Sequence, residues 1–249
     1  MGSLTDKIAV VTGGGSGIGR ATSVLLSQQG AKVVIGDILA KALKGTVEEI
    51  RNQNGEVAAV IVDVTQKESV QLMVEEILKR YDRIDILVNI VGGSSPKSVL
   101  EMSDSDWDHV INLNLRSVFL CCRAILPVMI KQHYGKIVNL SSAQAFTGSA
   151  TRANYTAAKA GVVGFSKSLA LEVVCHGINV NLVSPGLVET ERIRAMFSDE
   201  EWRNVTSTRP MGRAVLPEEV ARAVLFLVED AQASVTGQTL HVNGGAVMV

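Results

Sequence analysis

The stretch KIAVVTGGGSGIGR, residues 7–20, decides the fold. Residues 7–12 form a β-branched, nearly continuous apolar run, as in a strand covered on both faces. The chain then breaks into TGGGSGIGR, residues 12–20, which ends that strand and opens a helix. Such a turn brings backbone N–H groups and a helix N-terminus close to a pyrophosphate. The glycines at 13, 17 and 19 do not follow the G-x-G-x-x-G spacing. Ile18 and Arg20 stand where that pattern needs its last glycine. Alone, the turn reads equally well as a phosphate cradle or a tight turn. Asp37 strengthens the first reading: it ends the second strand, about 20 residues on, where an acid can accept both ribose hydroxyls of an adenosine. A helix-capping Asp is the alternative. Gly13, Gly15, Ser16, Gly17, Ile18, Gly19, Asp37 and Ile38 are therefore the candidate dinucleotide contacts here. A carboxylate at 37 repels a 2′-phosphate, so NAD(H) is expected over NADP(H). Arg20 and Lys32 are the only basic residues nearby.

Outward from this turn, β-branched runs recur at 31–37, 57–64, 84–91, 136–142, 178–186 and 238–242. Amphipathic stretches lie between them, roughly 18–29, 39–53, 66–80, 104–132, 155–174 and 217–229. Thr65 and Ser103 suit N-caps, and Pro217 with Glu218 and Glu219 suits a helix start. Pro127 should bend or end the 104–132 helix. Strand-helix alternation implies right-handed βαβ units, hence an α/β fold: one Rossmann-type doubly wound parallel sheet of about seven strands with helices on both faces. Residues 1–249 read as a single domain. The long irregular piece 187–216 reads as a substrate lid within it, because loops of that length are usually functional.

Of the 249 residues, 47% are hydrophobic and 20% charged, enough for a large core. A net charge of −1 gives no reason to expect nucleic acid or an anionic membrane as partner. No apolar run approaches the roughly 20 residues of a bilayer span, and the N-terminus does not read as a signal peptide. Three cysteines, two adjacent at 121 and 122, lack framework spacing and point to buried thiols in a cytoplasmic protein. The Asn-x-Ser/Thr triplets at 139, 154 and 204 are then chance matches.

In ANYTAAKAG, residues 153–161, Tyr155 and Lys159 share a helix face. A phenol with its ordinary pKa near 10 is a poor base at neutral pH. An ammonium within about 4–6 Å favours phenolate. Such a pair can exchange a proton with an alcohol or ketone oxygen, and Ser142, at the end of the fifth strand, can hydrogen-bond the same oxygen. By the α/β rule these groups meet over one crevice beyond the strands' carboxyl ends. Without the glycine turn, the Tyr-Lys pair would be an ordinary solvated helix face.

Gly13, Gly17 and Gly19 in T-G-x-x-x-G-x-G, then Ser142, then Y-x-x-x-K, resemble the short-chain dehydrogenase/reductase family. SPGLVET (184–190) and the C-terminal TGQTLHVNGGAVMV extend the likeness over essentially the whole chain. Within the family the likeness is strongest to 3-oxoacyl-(acyl-carrier-protein) reductases. The resemblance implies Asn114 as a fourth catalytic residue in a proton relay. It implies Asp63 and Val64 at adenine, Asn89 beside the cofactor, and Pro185, Gly186, Val188 and Thr190 at the nicotinamide. NIVGG, residues 89–93, departs from the family's Asn-Asn-Ala-Gly. Such reductases also tend to carry basic residues where this chain has His133–Tyr134 and His176, which are weaker docking charges for an acidic carrier. Gln144 and Arg152 read either as substrate contacts, Arg152 to an anion, or as solvent-facing side chains. Ile193, Met196 and Phe197 offer an apolar face over a substrate tail, or ordinary packing. The family implies a homotetramer, and the small residues Ala157, Gly161, Gly164 and Ser168 suit a close helix contact.

The expectation is a metal-free NAD(H)-dependent oxidoreductase interconverting a small-molecule secondary alcohol and ketone. A 3-oxoacyl-(acyl-carrier-protein) or 3-oxoacyl-CoA reductase is the nearer alternative. A non-catalytic dinucleotide-binding sensor is the distant one, and the intact Ser-Tyr-Lys set argues against it.

Overall fold

A computed structural model describes residues 2–249. The β-branched runs become β1 (Ile8–Thr12), β2 (Lys32–Asp37), β3 (Val57–Ile61), β4 (Ile86–Asn89), β5 (Gly135–Leu140), β6 (Ile178–Pro185) and β7 (Thr239–Val242). All seven pair in parallel in the order β3-β2-β1-β4-β5-β6-β7. The doubly wound α/β expectation holds. The strand order reverses between the parallel neighbours β1 and β4, where Thr12 pairs with Asn89, so a crevice opens beyond those two carboxyl ends.

The helices are α1 (Gly17–Gln28), α2 (Ala40–Asn52), α3 (Lys67–Tyr81), α4 (Asp104–Ile111), α5 (Ser117–Gln132), α6 (Gln144–Thr147), α7 (Ala153–Val173), α8 (Glu191–Arg194), α9 (Asp199–Ser207) and α10 (Pro217–Val228). Alternate strand residues feed opposite cores. Ile8 and Val10 join α3, α5 and α7 on one face; Ala9 and Val11 join α1, α2 and α10 on the other. Each fully buried aliphatic side chain contributes about 1.5–3 kcal/mol, so the two layers hold the sheet flat against its helices.

Four local expectations change. Ser103 caps α4 with a full capping box, but Thr65 does not cap α3; its hydroxyl donates to Asp63 Oδ1 at 2.7 Å and Gln66 takes the cap position. The 104–132 helix is interrupted by one π turn, residues 112–116. Pro127 does not end α5, which runs on to Gln132. Pro127 and Arg123, the residue whose carbonyl loses its donor, are both exposed. Finally, 187–216 is not irregular throughout: it contains α8 and α9, the latter opened by a Ser198–Glu201 capping box.

The continuous helical stretch Asp104–Gln132 is apolar enough to span a bilayer by length and composition, with a mean hydropathy of 1.6 over its most apolar window. Its apolar residues, Val118, Leu120, Ile125 and Met129 among them, are instead part of the core.

Candidate active site

The glycine turn is shaped by contacts that admit no side chain. Gly13 and Gly17 have φ of +70° and +49°, the left-handed region glycine favours. A Cβ on Gly19 would stand 1.9 Å from the Gly13 carbonyl oxygen. Helix α1 therefore rests directly on the turn, which explains a third glycine two residues after the second. Gly13 N–H donates to Gly36 O at 2.7 Å and ties the turn to β2.

A cleft of about 420 Å³ lies over this turn. Of the expected dinucleotide contacts, Gly13, Ser16, Gly17, Ile18, Asp37, Ile38, Asp63, Val64 and Thr190 line it. Gly15 and Gly19 do not line it; they build the turn. Pro185, Gly186 and Val188 lie outside it as well, at the β6 exit: Gly186 N–H donates to Val242 O at 3.0 Å and Val188 pairs with Val215. Asn89 is turned into the sheet, where its Nδ2 donates to Asn139 Oδ1 at 2.8 Å. The cleft wall there belongs to its successors Ile90, Val91 and Gly92. Sequence reading missed these three, together with Val62, Leu113, Glu191 and Arg192. The volume and the side-chain-free turn fit a dinucleotide.

Gly92 joins the cleft to the acid-base groups. A Cβ on it would lie 2.6 Å from Asn114 Oδ1 and 3.1 Å from Lys159 Nζ. Asn114 sits in the π turn, fully buried. It accepts from Gly93 N–H at 3.0 Å and donates to Gly93 O and Val110 O at 2.8 and 2.9 Å. Lys159 is buried in α7, with Nζ 5.9 Å from the centre of the Tyr155 ring. Its ammonium donates to Leu140 O at 2.8 Å, and burial pulls its pKa down to about 8.

The tuning of Tyr155 differs from expectation. Burial raises the phenol's pKa, against downward pulls from the Ser142 hydroxyl and from the Arg152 and Arg192 charges. The Lys159 ammonium, 5.9 Å from the centre of the ring, stands beside the phenol as well. Ser142 Oγ accepts from Gln144 N–H at 3.2 Å, which orients it at the start of α6. Gln144 Oε1 is shielded from solvent without a partner. Arg152 immediately precedes α7 and makes no side-chain cap. The three apolar candidates of 187–216 do not line the cleft: Phe197 packs on Trp202 at 5.7 Å, Ile193 is half-buried and Met196 is exposed. Gly161 of the small-residue stripe packs on this chain's own Leu115, while Ala157, Gly164 and Ser168 remain exposed.

Comparison with known proteins bears on this geometry. A family model described as Enoyl-(Acyl carrier protein) reductase matches residues 13–247. The 3-oxoacyl-(acyl-carrier-protein) reductase FabG of Thermotoga maritima is 40% identical over 246 residues, 98% of this chain and 99% of its own length. The FabG of Escherichia coli K12 is 41% identical over 247 residues, 99% of this chain and 100% of its own. Among solved structures, levodione reductase superposes with a TM-score of 0.93 at 30% identity, covering 97% of this chain and 98% of its own. The protein gox2181 gives 0.93 at 35%, covering 98% and 96%.

The relatives overturn the expected preference for NAD(H), because FabG reductases are NADPH-dependent. The structure supplies the physical reason the inference failed. Asp37 accepts from Gly15 N–H at 3.3 Å and Leu39 N–H at 3.1 Å, so its carboxylate has a structural duty in clamping the turn to β2. Its presence at the strand end is no measure of which nucleotide binds. With a family model matching residues 13–247 and a relative 40% identical over 98% of this chain, the chain belongs to the short-chain dehydrogenase/reductase family and is an oxidoreductase.

Proposed function

We propose that this enzyme reduces the ketone of a 3-oxoacyl thioester, on acyl carrier protein or coenzyme A, to the secondary alcohol. The observation that supports the reading is Gly92 in the cleft wall, where an added Cβ would lie 2.6 Å from Asn114 Oδ1 and 3.1 Å from Lys159 Nζ, with Lys159 Nζ 5.9 Å from the Tyr155 ring. The names of the relatives, at 40% and 41% identity over full length, support the acyl substrate.

When bound, the nicotinamide supplies the hydride. The chain supplies the rest. Gly13, Ser16, Gly17 and Ile18 cradle the phosphates with backbone N–H groups, while Asp63 and Val64 face the adenosine end. Ser142 Oγ and Tyr155 Oη hold the substrate's carbonyl oxygen. Tyr155 gives that oxygen its proton as negative charge develops there. Lys159, with a pKa near 8, exchanges a proton close to neutral pH more readily than an ordinary lysine. Asn114, fixed at both ends of its amide, extends that exchange toward solvent. Assembly as a homotetramer belongs with this reading, with exposed Ala157, Gly164 and Ser168 of α7 at the contact.

Replacing Tyr155 by Phe tests the assignment. We expect turnover of 3-oxobutanoyl-CoA to fall by about 10²–10⁴-fold, the usual worth of a positioned acid, with dinucleotide binding retained. Undiminished turnover would refute it.

A further inference from the structure

A polar junction lies inside the apolar layer that Ile137, Val162 and Leu169 help to fill. Asn139 of β5 and Ser166 of α7 are both wholly buried there. Asn139 Nδ2 donates to Ser166 Oγ at 2.9 Å, and the serine hydroxyl donates on to Val162 O at 2.7 Å. Asn139 Oδ1 accepts from Asn89 Nδ2 at 2.8 Å, so β4, β5 and α7 meet at one amide. A matched apolar pair could fill such a place at little cost in stability, because a buried hydrogen bond replaces bonds that both groups make to water. A directional bond adds what apolar packing lacks: it fixes one arrangement of the elements it joins.

Helical geometry says what the junction fixes. Ser166 lies seven residues after Lys159, which is two turns on, on the same face and about 10 Å along the axis. Asn139 and Ser141 share a face of β5, as alternate strand residues do. Ser141 Oγ donates to Lys159 O at 3.1 Å, and Lys159 Nζ donates to Leu140 O at 2.8 Å. Ser141–Lys159 and Asn139–Ser166 are thus two crosspieces between one strand and one helix. Together they hold α7 against sliding or turning over β5, beyond whose end Ser142 stands.

We propose that Asn139 and Ser166 are positioning residues for the reduction, setting Tyr155 and Lys159 of α7 in place relative to Ser142. The inference rests on the acid-base roles given to those three residues. Ser166 acts through the helix and touches no reacting atom.

The test uses Ser166→Ala, Asn139→Ala, the double variant, and Ser166→Thr, whose hydroxyl can make both bonds. Val173→Ala is the control: Val173 is buried in the last turn of α7 and has no polar side-chain atom. Melting curves establish that each variant is folded. With 3-oxobutanoyl-CoA we expect kcat to fall about tenfold in each single variant at the junction, with the Kd of the reduced dinucleotide unchanged, because a misplaced reacting group costs rate. The double variant should fall no further than the slower single one, since the two groups act as a unit. Ser166→Thr should recover most of the loss, and Val173→Ala should keep kcat.

A second readout needs no substrate. The NMR signal of the Lys159 ε-carbon, identified by its loss in Lys159→Met, should titrate near pH 8 in the wild type. In Ser166→Ala that titration should move by about half a pH unit or more, as the burial of the ammonium changes. A titration unmoved by Ser166→Ala overturns the proposal, as does wild-type kcat in both single variants; either leaves the acid-base reading intact. Losses that multiply in the double variant, or an equal loss in Val173→Ala, also overturn it. Undiminished turnover in Tyr155→Phe removes the acid-base reading and the proposal with it. If the thioester is not turned over at all, the substrate reading alone falls, and the Lys159 titration decides.

Discussion

Two buried lysines mark the two ends of β5. Lys136 sits near its start and donates to Asn179 Oδ1 at 2.7 Å. Lys159, reaching in from α7, donates to the carbonyl of Leu140, the strand's last residue, at 2.8 Å. Both are nearly inaccessible, and burial lowers the pKa of each. Their surroundings differ. Around Lys136 the polar groups are paired: Asn179 Nδ2 donates to Ala233 O at 2.9 Å, Tyr134 donates to Asp230 at 2.8 Å, and Lys7 pairs with Asp230 at 3.3 Å. At the carboxyl ends of the strands, Asn89 Oδ1, Ser184 Oγ and Gln144 Oε1 have no partner in the protein. Most buried polar groups in folded proteins are satisfied, so a concentration of exceptions needs a reason. One end of the strand is finished as structure, and the other is left open for chemistry.

The hardest test of that contrast is to remove each ammonium in turn. Lys159→Met should cut kcat by about 10²–10⁴-fold, as expected for loss of an acid-base group. Lys136→Met should leave kcat intact and cost about 1–3 kcal/mol of stability, because Asn179 Oδ1 loses its donor. Equal losses of activity in the two variants would erase the distinction. Gly92→Ala probes the open end more gently. Its methyl group would press on Asn114 Oδ1 and Lys159 Nζ together. We expect about a tenfold fall in kcat and about 1–3 kcal/mol of overpacking cost; wild-type kinetics would mean that these two groups are free to move aside.

The smallest effect is on the pH dependence of stability. Below about pH 8 Lys159 is protonated in both folded and unfolded chains, and the full penalty of burying its charge is present. As pH rises past 8 the folded protein releases that proton while the unfolded chain, with an ordinary lysine pKa of 10.5, keeps it. The unfolded state then binds more protons, so stability rises, by at most about 1.4 kcal/mol per pH unit from this group. Lys136 shifts in the same direction. The rise in melting temperature above pH 8 should therefore shrink, without vanishing, in Lys159→Met. An unchanged slope would mean that Lys159 does not titrate there.

Much of the scaffold could be read from residues alone, for a physical reason. Parallel strands buried on both faces must be continuously apolar, so runs such as IAVVT and ILVN announce themselves, and the glycine turn follows one directly. The Ser-Tyr-Lys positions were legible because their spacing and residue types are specific together. What stayed hidden depended on which way a side chain turns. Asp37 could cap a loop or bind ribose; its carboxylate accepts from the Gly15 and Leu39 N–H groups while the residue also lines the cleft. Asn89 could face the cleft or the neighbouring strand, and it chose Asn139. Arg192 lies in a segment without periodicity, so nothing local signals that it returns over Gly92 and Gly93. Thr65 looked like a cap because it precedes a polar turn, but Asp63 holds its hydroxyl more closely than a helix N–H would.

The π turn at 112–116 has a consequence for how this chain can vary. It is one residue longer than the α-helical turn it replaces. Deleting Leu113 would turn the bulge into an ordinary α-helical turn and leave the flanking stretches in register, because the wide turn is what absorbs the extra residue. The apolar stripe of α5 would stay against the sheet, and the local displacement that carries the Asn114 amide to Gly93 would be lost. Loss of one residue here should therefore spare the fold and empty the site of its amide.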